Sequence, residues 1–428
     1  MLERLFKLRE HGTSVRTEIM AGITTFLTMS YIIFVNPDIL SSTGMDRNAV
    51  FVATCLAAAL GSLVMALVAN WPVGMAPGMG LNAFFAFTVV AAMGFTWQQA
   101  LGAVFISGII FVVLTLTGIR RWLIAGIPKS LRSAIAAGIG LFLAIIALSS
   151  AGIVVASPAT KVTLGDLHTA PPLLAMLGFF VIAALDALKV RGAILIGILV
   201  VTVLSMLLGI NEFAGVFSAP PSLMPTFMQL DIAGILHAGF IQVILVFVLV
   251  EVFDATGTLM GVAKRANLPL EGPKSRLGRA LLADSTAIVG GSMLGTSSTT
   301  AYVESASGVQ AGGRTGLTAL VIALLFLAAL FVSPLAGSVP AYATAPALLY
   351  VAGLMMRELI DIDWDDVTEA TPAALTALAM PFTYSIATGL AFGFISYTVL
   401  KLLTGRAREV HPAMWIVSLL FVLRYVFF

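Results

Sequence analysis

The chain has 428 residues, of which 59% are hydrophobic and only 10% charged. Its mean hydropathy is +1.04. A soluble domain carries about 25% charge, so this composition excludes an ordinary soluble enzyme and identifies a polytopic membrane protein. The net charge of +2 gives no sign of a nucleic-acid partner, and the single Cys55 excludes an internal disulfide.

The N-terminal stretch Met1 to Glu18 is charged and lacks a short apolar core with a cleavage site, so no cleavable signal peptide is expected. Apolar runs then recur at 19–36, 50–69, 97–118, 132–150, 172–188, 192–209, 240–262, 279–293, 314–333, 341–357, 372–385, 386–403 and 411–427. A bilayer-crossing helix needs about 20 apolar residues. Two further apolar stretches, 73–91 and 295–311, are broken by Gly, Pro, Ser and Thr. Counting both gives a total of 14 or 15 units with short connections and no soluble domain.

Positive charge orients the units. Arg4, Lys7, Arg9 and Arg16 precede the first. Arg120, Arg121, Lys129 and Arg132 follow the fourth, and Lys189 and Arg191 the sixth. Lys264, Arg265, Lys274, Arg276 and Arg279 follow the eighth, whereas 210–236 has no Lys or Arg. This parity predicts a cytoplasmic N-terminus and puts 401–408 inside. The last apolar stretch, 411–427, is an additional element, either a span or an interfacial helix.

The eighth unit, FIQVILVFVLVEVFDATGTLMGV from Phe240 to Val262, places Glu251 and Asp254 inside an apolar run. Charges at that depth are costly and mark a cavity, a partner or an ion path. Residues i and i+3 share a helix face, so both acids point the same way. The broken segments VGMAPGMGLNAFFAF (73–87) and GTSSTTAYVESASGV (295–309) hold Asn82 and Glu304 at similar places, 222 positions apart. Irregular backbone at membrane depth is tolerated only beside protein or a cavity. Paired discontinuous helices point to a transport site at the midplane. Each half-helix offers free N–H groups and a positive dipole end, which suits a planar ligand bearing carbonyl oxygens or ring nitrogens.

Four motifs then carry a resemblance. TEIMAGITTFLTMSYIIFVNP (17–37), GMGLNAFFAF (78–87), EVFDATGTL (251–259) and TSSTTAYVESASGV (296–309), followed by GGRTGLTA (312–319), resemble the nucleobase–cation symporter (nucleobase/ascorbate transporter) superfamily. The branch is the AzgA-like hypoxanthine/guanine/adenine purine permeases. The resemblance implies an all-α polytopic fold of about 14 segments in two inverted seven-helix repeats, with short strands and half-helices in units 3 and 10. It implies a core domain from 1–131 and 237–335 and a gate domain from 132–236 and 336–428. It further implies proton symport of purine nucleobases across the inner membrane, and homodimers paired through the gate.

Carried onto this sequence, the resemblance assigns Glu251, Glu304, Asn82 and Phe85 to the substrate, while Thr299 and Thr300 either line the site or only satisfy the broken backbone. Asp254 matches a position needed for transport more than for binding, and Glu251 and Asp284 are also candidates for the coupling machinery. The chemistry of these residues agrees. A carboxylate accepts hydrogen bonds from the adjacent N–H donors of a purine edge, and an aromatic ring covers its face. His11, His168, His237 and His411 lie at predicted span ends, so carboxylates rather than histidines must handle the proton.

Structural readings stand beside these. Asn82 can cap its half-helix, Phe85 can be core, Asp254 can bond Thr258, and Asp284 can sit at the interface near Arg279. Glu18 with Arg16, and Asp186 with Lys189, read as interfacial charges. The acidic run Asp361, Asp363, Asp365, Asp366 and Glu369 reads as a solvated loop rather than a metal-diphosphate site, because no second cluster faces it. No metal, cofactor or ATP motif is expected, nor enzymatic activity. Hypoxanthine and guanine are the favoured substrates. An adenine-preferring permease is the first alternative. An anion transporter of the same architecture is disfavoured, because Glu304 would repel its cargo.

Overall fold

The computed structural model describes residues 2–237, 241–270, 272 and 275–427. Phe240, where the acid-bearing apolar run begins, and Lys274 lie outside the described residues. The chain is mostly helical. Nine helices among the described residues are long and apolar enough to cross a membrane, from Val15–Ser41 to Ile386–Leu403. Three shorter apolar helices, Met79–Ala92, Ala193–Leu207 and Pro412–Leu423, accompany them.

The chain divides into two compact units. One comprises Met1–Leu116 and Thr169–Ala347, the other Thr117–His168 and Leu348–Phe428. The helices Ala170–Ala187 and Ala193–Leu207 therefore group with the first unit.

In the first unit the opening helix Val15–Met29 starts at Ser14, whose hydroxyl accepts from the Thr17 amide. That is the usual way to satisfy an orphan first-turn donor. The helix gives way at Ser30 and Tyr31 to a second helix, Ile32–Ser41. Pro37 within it cannot donate to the preceding turn. Glu18 is fully buried, which corrects the expectation of an interfacial charge. Its carboxylate accepts from the amides of Arg314, Thr315 and Thr318 and from the Thr318 hydroxyl, at 2.6–3.3 Å. These are the orphan donors where the helix Gly316–Ala329 begins. An anion there is favoured by the helix dipole as well. Asn70 completes the tie in the left-handed backbone region, at φ 53°. Its amide donates to the Phe6 carbonyl and its oxygen accepts from the Gly316 amide.

The broken segments meet. The strand Met75–Pro77 pairs antiparallel with Thr299–Ala301, with Ala76 opposite Thr300. Each strand leads into a short helix, Met79–Ala83 after the first and Ser305–Gln310 after the second. The first continues through a wider turn over Phe84–Ala92.

The second unit packs the helices Lys129–Ser150, Val367–Phe382 and Ile386–Leu403 together. An exposed hairpin, Val154–Ser157 with Lys161–Leu164, follows the first of these helices. The acidic run is a solvated loop only at its start, where exposed Asp361 pairs with Lys129 at 2.7 Å. Its far end is not. Asp366 caps the helix Val367–Phe382 and lies 2.7 Å from Arg406, while Glu369 lies 3.1 Å from the buried Lys401. Glu409 joins both cations, at 2.9 and 2.8 Å. Lys401 is only 1% exposed, and a cation so placed requires anionic partners.

Two outcomes follow for stability. Glu18→Ala leaves buried amides without an acceptor and should cost about 2 kcal/mol. Thermal melting of the purified protein checks it, and an unchanged midpoint would contradict the capping role. The Thr368 hydroxyl and then Arg406 hold Asp366 well below the usual carboxylate range, and Arg406 with Lys401 holds Glu409 down to about 2. A depressed carboxylate stabilises the folded state above its unfolded value, about 4, and that contribution fades as pH falls toward the folded value. The melting difference between wild type and Arg406→Gln should therefore be constant from pH 8 to 5 and shrink on further acidification. A difference that grew in acid would be inconsistent with this sign.

Candidate functional site

The site is built where the two strands cross inside the first unit. Backbone polarity is satisfied first, because an unpaired buried amide or carbonyl is costly. The Gly78 amide donates to the Ser298 carbonyl, and the Tyr302 amide to that of Gly74. Met75 and Gly74 donate to the hydroxyls of Ser62 and Ser305, both at about 3 Å. The Tyr302 hydroxyl donates to the Pro77 carbonyl at 2.5 Å. The crossing is thereby locked from both sides.

Glycine lets the surrounding helices approach. A methyl group on Gly61 would stand 3.0 Å from the Met75 Cβ and 3.3 Å from the Thr299 Cγ2. On Gly78 it would stand 2.8 Å from the Thr300 Cγ2 and 3.7 Å from a carboxylate oxygen of Asp254. Asp254 thus reaches the start of the first half-helix. The first-turn amides there have no acceptor within their own helix.

The polar side chains converge on the same place. Asn82, fully buried, accepts a short hydrogen bond from the Ser297 hydroxyl. Its amide nitrogen has no partner among the described residues, and neither do the buried hydroxyls of Ser298 and Thr299. Thr300 donates to buried Asp284 at 3.1 Å. Glu304 sits just before the second half-helix and is half-buried. Asp254 is also half-buried and lies within electrostatic reach of both Asp284 and Glu304. Asn82, Asp254, Asp284, Thr300 and Glu304 are therefore one neighbourhood, although the sequence separates them by up to 222 positions.

Glu251 and Phe85 are placed differently from these. Glu251 lies on the helix Ile241–Arg265 one turn from Asp254 and is fully buried. Phe85 is also fully buried. Its neighbour Phe84 packs edge-on against Phe247 of that helix, with ring centroids 4.9 Å apart. Among the described residues no His, Cys, Asp and Glu group is suited to hold a metal ion.

Three residues of the site were not singled out in the sequence. Ser297 holds Asn82. Asn36 donates to Thr54 at 2.7 Å and to Thr296 at 2.9 Å, tying the first helix pair to the second broken segment. Tyr31 is 1% exposed and donates from its hydroxyl to Glu304 at 2.7 Å. The available signal was a polar residue inside an apolar run, in SYIIFVNP.

Comparisons with known proteins bear on this geometry. A profile described as a permease family matches residues 16–392. Adenine permease AdeP of Escherichia coli (strain K12) is 54% identical over 428 residues, covering 100% of this chain and 96% of the relative. Guanine/hypoxanthine permease PbuG of Bacillus subtilis (strain 168) is 47% identical over 438 residues, covering 100% of both. Among solved structures, the transmembrane domain of a cyanobacterium bicarbonate transporter, BicA, aligns with a TM-score of 0.64. It does so at 16% identity over 88% of this chain and 96% of that one, so the likeness concerns the fold alone.

The crossing yields a direct expectation. Gly78→Val would place branched carbon against Thr300 and Asp254 and force the strands apart. Affinity for transported substrate should fall at least tenfold while the protein still reaches the membrane. Wild-type affinity in that variant would show that the close approach at Gly78 is dispensable.

Proposed function

The chain belongs to the nucleobase/ascorbate transporter family, and from that premise we propose that it carries purine nucleobases inward by proton symport. As a permease it is an integral membrane protein. The observation that carries the reading is the neighbourhood of Asn82, Asp254, Asp284, Thr300 and Glu304 at the strand crossing. A purine edge presents adjacent N–H donors, carbonyls and ring nitrogens. Glu304 and Asp254 offer acceptors to the N–H groups, and the free Asn82 amide and half-helix N–H groups offer donors to the rest. Glu251, one turn away on the same helix face, completes the acidic pair that resembles the family pattern. Phe85 is the candidate to cover the ring face.

Proton coupling rests on these acids. Glu251 and Asp254 form one acidic pair, so the coupling proton is assigned to the pair rather than to either acid singly, with Asp284 as a further candidate. In the alternating-access scheme, about 14 segments in two inverted repeats form a core and a gate. The core carries Asn82, Glu251 and Glu304 as one rigid body between outward and inward states. The gate supplies the homodimer contact, and the N-terminus faces the cytoplasm of an inner-membrane protein. Hypoxanthine and guanine are favoured by the motifs. The adenine permease at 54% identity supports adenine as the second reading.

The deciding experiment is uptake of labelled hypoxanthine, guanine, adenine, xanthine and uracil by cells lacking their own carriers. Purine uptake should rise as external pH falls, collapse with a protonophore and ignore sodium. Glu304→Gln should abolish high-affinity uptake with normal membrane levels. A strict sodium requirement at fixed pH would overturn proton coupling. Cross-links between positions 82 and 304 that form in one state and not the other would overturn the rigid core.

A further inference from the structure

We infer that Tyr31 is a positioning residue of the binding site, holding one oxygen of the Glu304 carboxylate so that the other faces the base. This rests on the purine reading above and adds a residue to it. Tyr31 stands at the joint between the helices Val15–Met29 and Ile32–Ser41. Its hydroxyl donates to Glu304 Oε1 at 2.7 Å. A buried tyrosine hydroxyl requires a partner, but a backbone carbonyl would serve. Here the partner is a half-buried carboxylate at the strand crossing.

The joint is a rail for the second broken segment. Asn36 donates to Thr296, and the hydroxyls of Thr28 and Ser307 lie 3.0 Å apart. These two rungs flank residue 304 and join neutral groups. The Tyr31 rung alone among the three reaches an ionisable group. Hydrogen bonds to a carboxylate are shorter and about twice as strong as neutral ones. The Tyr31 hydroxyl is the side-chain donor that reaches this carboxylate, and it does so at Oε1. Held at Oε1, Glu304 turns its second oxygen toward the base. It selects a base by one N–H, in a direction Tyr31 sets.

The test is Tyr31→Phe, compared with wild type for uptake of labelled hypoxanthine and for competition by its N1-, N7- and N9-methyl derivatives. Methylation at the nitrogen that meets Glu304 removes the donor and should weaken competition in wild type. Tyr31→Phe should raise KM for hypoxanthine about tenfold, the effect of one hydrogen bond to a charged group, with the maximal rate within about twofold at equal surface amount. It should leave that methyl derivative unchanged, so the discrimination between the two shrinks. A structural role alone would weaken all competitors alike, and equal weakening or an unchanged KM overturns the inference. Tyr31→His, which keeps a donor, should restore discrimination, and it carries the test if Tyr31→Phe does not reach the membrane. Loss of discrimination in Tyr31→His equal to that in Tyr31→Phe also counts against the role. Failure of wild type to take up any purine would instead sink the reading of function.

Discussion

Six residues of backbone, Met75–Pro77 and Thr299–Ala301, are the constraint around which the first unit is arranged. Extended chain cannot satisfy its own amides and carbonyls, and hydrocarbon offers no water to do so. Each strand is therefore the other's necessary partner. The remaining edge groups fall to side chains, which explains the serines: Ser62 and Ser305 serve Met75 and Gly74. A helix at the same depth would have been self-sufficient but would have exposed no donors. The crossing accepts the cost of two strand edges and delivers two half-helix starts to one point.

Close approach follows from that arrangement. The strands lie against the helices Arg47–Val64 and Leu277–Leu294, whose Gly61 and Gly291 face Met75 and Thr299. Any larger residue would hold those helices away and leave a gap at the strand pair. Interiors at native packing density tolerate such gaps poorly. Asn36 and Tyr31 reach in from the first helix pair to Thr296 and Glu304. Side chains around the acids are thus fixed by backbone proximity more than by their own interactions.

Charge is handled in two contrasting ways. In the second unit, Lys401 is surrounded by Glu369, Glu409 and Asp366, with Arg406 completing a network of opposite signs. At the crossing in the first unit, Asp254, Asp284 and Glu304 are gathered with the hydroxyls of Thr300 and Tyr31 and the amide of Asn82. Buried charges of one sign are unfavourable unless a proton or a ligand relieves them. The first arrangement suits a structural clamp. The second suits a site that changes its occupancy.

Much was legible in the sequence because the bilayer imposes a simple code. Apolar length marked most of the long helices, and the Gly, Pro, Ser and Thr interruptions marked the segments that hold the strands Met75–Pro77 and Thr299–Ala301. The depth of Glu251, Asp254 and Glu304 in apolar runs marked them as candidates for function, since a charge there is costly without a polar partner. Tertiary structure decided which polar groups are neighbours. Glu18 and Arg16 are two positions apart, yet Glu18 turns inward to cap a helix that begins about 300 residues later. Asp366 and Glu369 read as solvent-facing because Lys401 and Arg406 lie beyond a whole intervening helix. Tyr31 looked like an apolar-run residue until its hydroxyl met Glu304. Periodicity and composition report a residue's own environment on average. The identity of a hydrogen-bond partner depends on how distant segments are brought together, and only the folded chain specifies that.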